Sequence, residues 1–121
     1  MQKHGIKGSL INVSSTGAFT GEGPVPYIAT KAGVIGLTRS IAREVAASGI
    51  RINTINPGMV STEGTATAGI QGSDMEKATV AATPLGRIGV PQDIATAAVF
   101  LASSDSSWIT GESFFISGGY R

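Results

Sequence analysis

The 121 residues contain no cysteine. That excludes disulfides, a thiolate nucleophile and any metal site built on sulfur. There is a single histidine, His4, in the polar N-terminal stretch. It reads as a solvated side chain, and with the acids scattered along the chain a zinc site has no support. Charge is scarce, at 14% of residues against 41% hydrophobic, where a quarter charged is usual. The net charge is only +1 and Lys and Arg form no run, which argues against a nucleic-acid partner. No apolar stretch approaches the ~18 residues that a membrane span requires. The opening MQKHGIKGS lacks the apolar core of a signal peptide. The expectation is a cytoplasmic protein with no membrane partner.

What is present reads as one small α/β unit. Few charges among many apolar residues suggest strands buried on both faces and extensive subunit contact. Glycine is plentiful, at 17 residues, and clusters in turns. Ser9–Val13 is a short β-rich run after Gly8, and Ile50–Ile55 and Ser113–Ile116 are two more. Residues 14–26 read as a loop, and Pro26 suits the first turn of a helix. That helix is expected from Tyr27 to Ala47, with Val34, Leu37, Ile41 and Val45 as its apolar stripe. Gly33 and Gly36 within it cost helix propensity and make sense where another helix or a substrate approaches closely. Residues 59–73 read as a mobile small-residue loop. Asp74 is expected to cap a short helix through Ala82, another helix is expected over Gln92–Leu101, and a turn-rich connection joins the two. Strand–helix–strand–helix–strand predicts a parallel sheet with right-handed crossovers.

The chemistry-bearing feature is Tyr27-Ile28-Ala29-Thr30-Lys31, preceded by Ser14-Ser15. Side chains four apart on a helix share a face. An ammonium beside a phenol favours the phenolate, so the pair suits proton transfer near neutral pH. A serine hydroxyl from a neighbouring loop could hold a substrate carbonyl beside it. Each residue also has a bland reading. A lone tyrosine packs at a helix start, a lone lysine is solvated, and a strand-ending Pro57-Gly58 is a turn.

The segment SSTGAFTGEGPVPYIATKAGVIGLTRSIARE resembles the catalytic region of the short-chain dehydrogenase/reductases, NAD(P)-dependent oxidoreductases. IRINTINPGMVST and PLGRIGVPQDIATAAVFLASSDSSWITGESFFISGG continue the likeness almost to the C-terminus. YxxxK alone is a weak signal. The serine pair, YxxxK, NPGxVxT and ITGE…GG in this order are together a strong one. TEGT…PLGRIG and the ITGE tail lie closest to the 3-oxoacyl-carrier-protein reductase and glucose-dehydrogenase-like branch.

The resemblance implies the C-terminal half of a Rossmann-type doubly wound parallel sheet, with about three strands and the N-terminal half absent. Residues 1–121 would form a partial domain, the catalytic half. It implies Ser15, Tyr27 and Lys31 as catalytic residues. Ser15 would polarise the carbonyl, Tyr27 would exchange the proton, and Lys31 would tune Tyr27 and bond the nicotinamide ribose. The family's serine usually lies thirteen residues before the tyrosine. Here Ser14 is thirteen before and Ser15 twelve. The loop motif favours Ser15 with one residue deleted near Gly23, and Ser14 stays the alternative. Pro57, Gly58, Val60 and Thr62 would join Tyr27 and Lys31 in holding the nicotinamide of NADP or NAD. Asn56 reads as a structural turn residue, Arg87 as a salt-bridge residue, and Trp108 with Phe114-Phe115 as core or subunit-contact groups. The substrate would be a small carbonyl or alcohol compound, and the complete enzyme a homo-oligomer, tetramer or dimer.

The chain contains no Gly-rich pyrophosphate turn after a first strand. It also lacks the acidic or basic residue that selects between the two cofactors, and the asparagine that extends the proton relay. The alternative expectation is therefore a truncated, incompetent remnant or a subunit-binding half, with the Ser9–Val13 strand as an unprotected edge.

Overall fold

A computed structural model describes residues 1–121. Three strands, β1 (Gly8–Val13), β2 (Ile50–Pro57) and β3 (Ser113–Ile116), form one sheet in the order β1-β2-β3. All pairings are parallel, with Asn12 opposite Thr54 and Ile55 opposite Phe114. Helices α1 (Gly17–Thr20) and α2 (Val25–Val45) link β1 to β2. Helices α3 (Glu63–Thr67), α4 (Asp74–Ala82) and α5 (Pro91–Ala102) link β2 to β3. The three strands lie close to their expected places. β2 runs through Asn56 and Pro57, so Asn56 is a fully buried strand residue, not a turn residue.

The central strand carries the core and also its polar exceptions. Ile50, Ile52 and Ile55 are buried, and so are Asn53, Thr54 and Asn56. Buried polar groups need partners, and most have them. Asn53 donates through Nδ2 to Ile109 O at 3.0 Å and accepts from Glu112 N at 3.0 Å, which ties down the loop before β3. Asn56 Nδ2 donates to Phe114 O at 3.1 Å, while its Oδ1 is left without a partner.

Alternation along the strands assigns the helices to faces. The paired residues Asn12 and Thr54 both bond Thr38 of α2, at 2.9 Å each. The paired residues Ser9 and Arg51 both bond the Leu101 carbonyl of α5, at 2.7 and 3.0 Å. α2 and α5 therefore cover opposite faces of the sheet. Two parallel crossovers that step in the same direction over opposite faces have opposite hands. The expectation of right-handed crossovers throughout is thus corrected for one of them. The handedness rule reflects a short helix packing straight back onto its sheet. The β2–β3 connection carries three helices and has the length to pass round the sheet end.

The buried stripe of α2 is Ile35, Thr38 and Ala42. That is one position off the expected stripe, and Leu37 is exposed. A hydroxyl looked unsuited to the core, yet Thr38 Oγ1 uses all its capacity. It donates to Val34 O at 2.8 Å and accepts from Asn12 and Thr54. Gly33 and Gly36 meet no other part of the chain. Residues 59–73 are not a plain loop. Thr62 caps α3 through a reciprocal pair, Thr65 N to Thr62 Oγ1 at 3.2 Å and Thr62 N to Thr65 Oγ1 at 2.8 Å. A Thr-x-x-Thr box does what Ser-x-x-Glu usually does. Residues 14–26 likewise contain the short α1.

Only 15 of 121 residues are buried, so large apolar faces stay open. β1 pairs on one side only, as expected of an edge. Trp108 is 98% exposed and so is not a core group within this chain. Phe115 is half-buried and packs against Phe19 with ring centroids 4.5 Å apart. No helix is long and apolar enough to cross a membrane.

Candidate active site

Parallel strands end together, and their C-terminal ends open onto a crevice where loops converge. Here the loops after β1 and β2 meet. Ser14 N donates to Ile55 O at 2.8 Å and Thr16 N to Pro57 O at 3.0 Å. The serine loop is thereby sewn to the Pro57-Gly58 turn. Gly58 sits tight against the start of the tail. Its N–H donates to Ile116 O at 3.1 Å, and a Cβ there would come within 2.9 Å of Ser117 Cβ. Glycine at this position therefore has a packing reason of its own.

Tyr27 lies in the first turn of α2 and is 45% exposed. Lys31 follows one turn later, with Nζ 5.7 Å from the Tyr27 ring centroid. The ammonium donates to Val13 O, the last carbonyl of β1, at 2.9 Å. One of its three donors is so engaged, and two remain for a ligand. The two serines divide their work. Ser14 is 3% exposed and its hydroxyl donates to Lys31 O at 2.7 Å, which holds the helix against the sheet. Ser15 is half-buried, and its Oγ accepts from Gly17 N at 3.1 Å. The Ser15 hydroxyl proton is given to no acceptor in the chain and is free to enter the cleft.

Val60 pairs with Gly89 in a single parallel bridge. Its carbonyl accepts from Thr65 Oγ1 at 3.3 Å, while its N–H has no partner within the chain. Thr62 is exposed, with its hydroxyl engaged in the α3 cap. Ser15, Tyr27, Lys31, Pro57, Gly58, Val60 and Thr62 all line one cleft of about 1080 Å³. That is the upper end of small-molecule sites. The helical part of the β2–β3 connection also lines the cleft, with the apolar Ile70, Met75 and Ile94 beside Thr65 and Thr79.

Two titratable cleft residues escaped the sequence reading, Glu22 and Tyr120. Tyr120 Oη donates to Glu22 Oε2 at 2.7 Å. That hydrogen bond, with burial and the carboxylate charge, raises the phenol above its ordinary range. The two are 98 positions apart, so no local pattern links them. Arg87, expected as a salt-bridge residue, makes a two-pronged pair with Asp93 at 2.7 and 2.9 Å. Asp93 also accepts from Val90 N at 2.8 Å, at the start of α5. The Arg87 hydrogen bond first, then the Val90 N–H, lower its carboxyl to about 2.

Known proteins resemble this chain in sequence and fold. The family model described as enoyl-(acyl carrier protein) reductase, of the short-chain alcohol dehydrogenase type, matches residues 1–121. The 3-oxoacyl-[acyl-carrier-protein] reductase of Vibrio harveyi is 45% identical over 93% of this chain and 45% of its own length. A solved Agrobacterium tumefaciens structure with bound NADP, provisionally described as a 2-deoxy-D-gluconate 3-dehydrogenase, superposes with a TM-score of 0.91. It is 38% identical, over 98% of this chain and 48% of that one. A short-chain dehydrogenase from Leptospira borgpetersenii with bound NAD⁺ gives 0.85 at 34% identity, over 98% and 46%. The chain belongs to the short-chain dehydrogenase/reductase family of oxidoreductases, in its 3-oxoacyl-carrier-protein reductase-like branch, and corresponds to the C-terminal part of the Rossmann-type fold. It spans about half the length of the curated relatives it matches.

Proposed function

We propose that this segment is the catalytic half of an NAD(P)-dependent carbonyl reductase or alcohol dehydrogenase acting on a small molecule. The observation that carries the reading is the convergence of Ser15, Tyr27 and Lys31 with residues 57–62 on one cleft wall. Ser15, its proton uncommitted, orients the carbonyl by donating to its oxygen. Tyr27 delivers the proton to that oxygen, or removes it in the oxidative direction. Lys31, fixed by Val13 O, places a positive charge beside the phenol and offers its remaining donors to a ribose.

The residues suit a nicotinamide. The unpartnered Val60 N–H is available to a carboxamide oxygen, and the bare Gly58 allows close approach. Tyr27, Lys31, Pro57, Gly58, Val60 and Thr62 would hold the group, as NADP or NAD. When bound it supplies the hydride. The exposed, uncrowded Gly33 and Gly36 on α2 support a helix-to-helix contact between copies, hence a homo-oligomer, dimer or tetramer. The open β1 edge and the small number of buried residues favour a second reading for the chain alone. On that reading it is not competent by itself and acts, if at all, docked on further structure.

The test is Tyr27→Phe in an active protein carrying this segment. Loss of the proton donor should lower kcat by roughly 10²–10⁴-fold with cofactor affinity nearly intact, since the ring remains. Turnover within tenfold of the parent would remove Tyr27 from the reaction.

A further inference from the structure

Glu22 is the only carboxylate on the cleft wall and Lys31 the only cation. The chain's ion pairs, Arg87–Asp93 and Lys77–Asp74, do not include Glu22, and the Lys31 ammonium is turned to Val13 O. The Glu22 charge is thus not neutralised within the chain. Its position is nevertheless defined. The Glu22 N–H donates to Thr20 Oγ1 at 3.2 Å. Its carbonyl oxygen packs so close over Gly17 that a Cβ there would meet it at 2.7 Å. Its Oε2 accepts from Tyr120, while Oε1 receives nothing from the chain.

Tyr120 reaches this place because the tail reverses after β3, where Gly118 and Gly119 take φ of 64° and 93°. The Phe19–Phe115 contact fastens the same two segments one layer below. An exposed carboxylate on the lining of a cleft, anchored through one oxygen and with the other unpartnered in the chain, is a hydrogen-bond acceptor available to a ligand. A hydroxyl donating to it makes a charge-assisted bond. An anion there meets a like charge, and the one cation of the cleft wall, the Lys31 ammonium, is already engaged by Val13 O.

We propose that Glu22, oriented by Tyr120, is a specificity-determining residue that favours uncharged, hydroxyl-bearing carbonyl substrates and rejects those that present a carboxylate or phosphate to this wall. This rests on the reading of the cleft as a carbonyl-reduction site.

The test compares kcat/KM for a hydroxyketone and a keto acid of equal chain length, in an active protein carrying this segment. Parent, Glu22→Gln and Tyr120→Phe are measured. Glu22→Gln should raise the keto acid relative to the hydroxyketone by about fivefold or more, the size of one like-charge contact near ~4 Å in water. Tyr120→Phe keeps the charge but frees its carboxylate. It should raise KM for the hydroxyketone by roughly threefold or more, keep kcat, and leave the keto acid disfavoured. Absorbance titration of the phenols checks the contact independently of turnover. The Tyr120 ionisation should move back toward the ordinary range in Glu22→Gln, and an unmoved titration would remove the orienting role. A substrate ratio unchanged by Glu22→Gln overturns the inference while carbonyl reduction stands. Failure of the parent to reduce any carbonyl compound overturns the underlying reading instead.

Discussion

The β1–α2–β2 unit and the β2–β3 connection are held together in different ways. In the first, a buried hydroxyl at Thr38 joins both strands to the helix, and Ser14 locks the Lys31 backbone to the strand ends. In the second, α3 and α4 rest on local bonds. Thr62 and Thr65 cap one, and Ser73 caps the other by accepting from Glu76 N. Neither helix has a buried residue. Tyr27 and Lys31, the residues proposed to transfer the proton, thus stand on the long-range framework. Of the apolar residues from the connection, Met75 stands on α4, an element that can shift at little cost, and Ile70 lies between α3 and α4. Ile94 stands on α5, which the sheet holds through Leu101 O. A cleft divided in this way would hold Tyr27 and Lys31 fixed while the α3–α4 part of its lining adapts to a ligand.

The comparison can be broken most severely at Thr38. Thr38→Val keeps the shape but strands the Thr54 hydroxyl and one Asn12 donor, at a cost of about 2–4 kcal/mol. The matching change in the connection, Thr65→Val, removes the cap bond and the long 3.3 Å bond to Val60 O and should cost about 1 kcal/mol. Equilibrium urea unfolding of both variants checks the ranking. Equal losses would show that the two regions are not differently built.

The serine pair sharpens the same contrast within two residues. In an active protein carrying this segment, Ser15→Ala should lower kcat by roughly tenfold or more while stability is kept. Ser14→Ala should lose about 1 kcal/mol of stability through its bond to Lys31 O and affect kcat less. The reverse pattern, read from kinetics and unfolding together, would move the substrate contact to Ser14.

The smallest effect is expected at the far end of the connection. Asp93 has its carboxyl lowered from 3.8 to about 2 by Arg87 and the Val90 N–H. Its folded-state value lies below the unfolded one. The stabilisation is therefore present above about pH 4 and is lost as the pH falls toward 2. The pair is solvent-exposed, so the contribution is slight. Thermal melts of parent and Asp93→Asn should differ near neutral pH and converge in acid. A gap that persists at pH 2 would assign the effect to something other than this charge.

The legible part of the molecule was the part written in short range. Strand positions followed from β-rich runs between turn residues, and Tyr27 and Lys31 from one helical turn. The α2 stripe was misread by one position because Thr38 is polar by composition and buried only through partners on two strands. Residues 59–73 were misread because a Thr-x-x-Thr box is a fainter cap signal than one ending in an acid.

By itself, the sequence determined the family, the three strands and the long helix, and it singled out Ser15, Tyr27 and Lys31 as candidates. These depend on residue type and local spacing, which a chain carries before it folds. Only the tertiary structure decided which serine keeps a free proton, because that depends on which hydroxyl meets the Lys31 carbonyl. It alone placed α2 and α5 on opposite faces, since side-chain alternation shows a face but not what covers it. And it alone brought Tyr120 to Glu22, because a bond across 98 positions exists only where the fold returns the tail to the cleft.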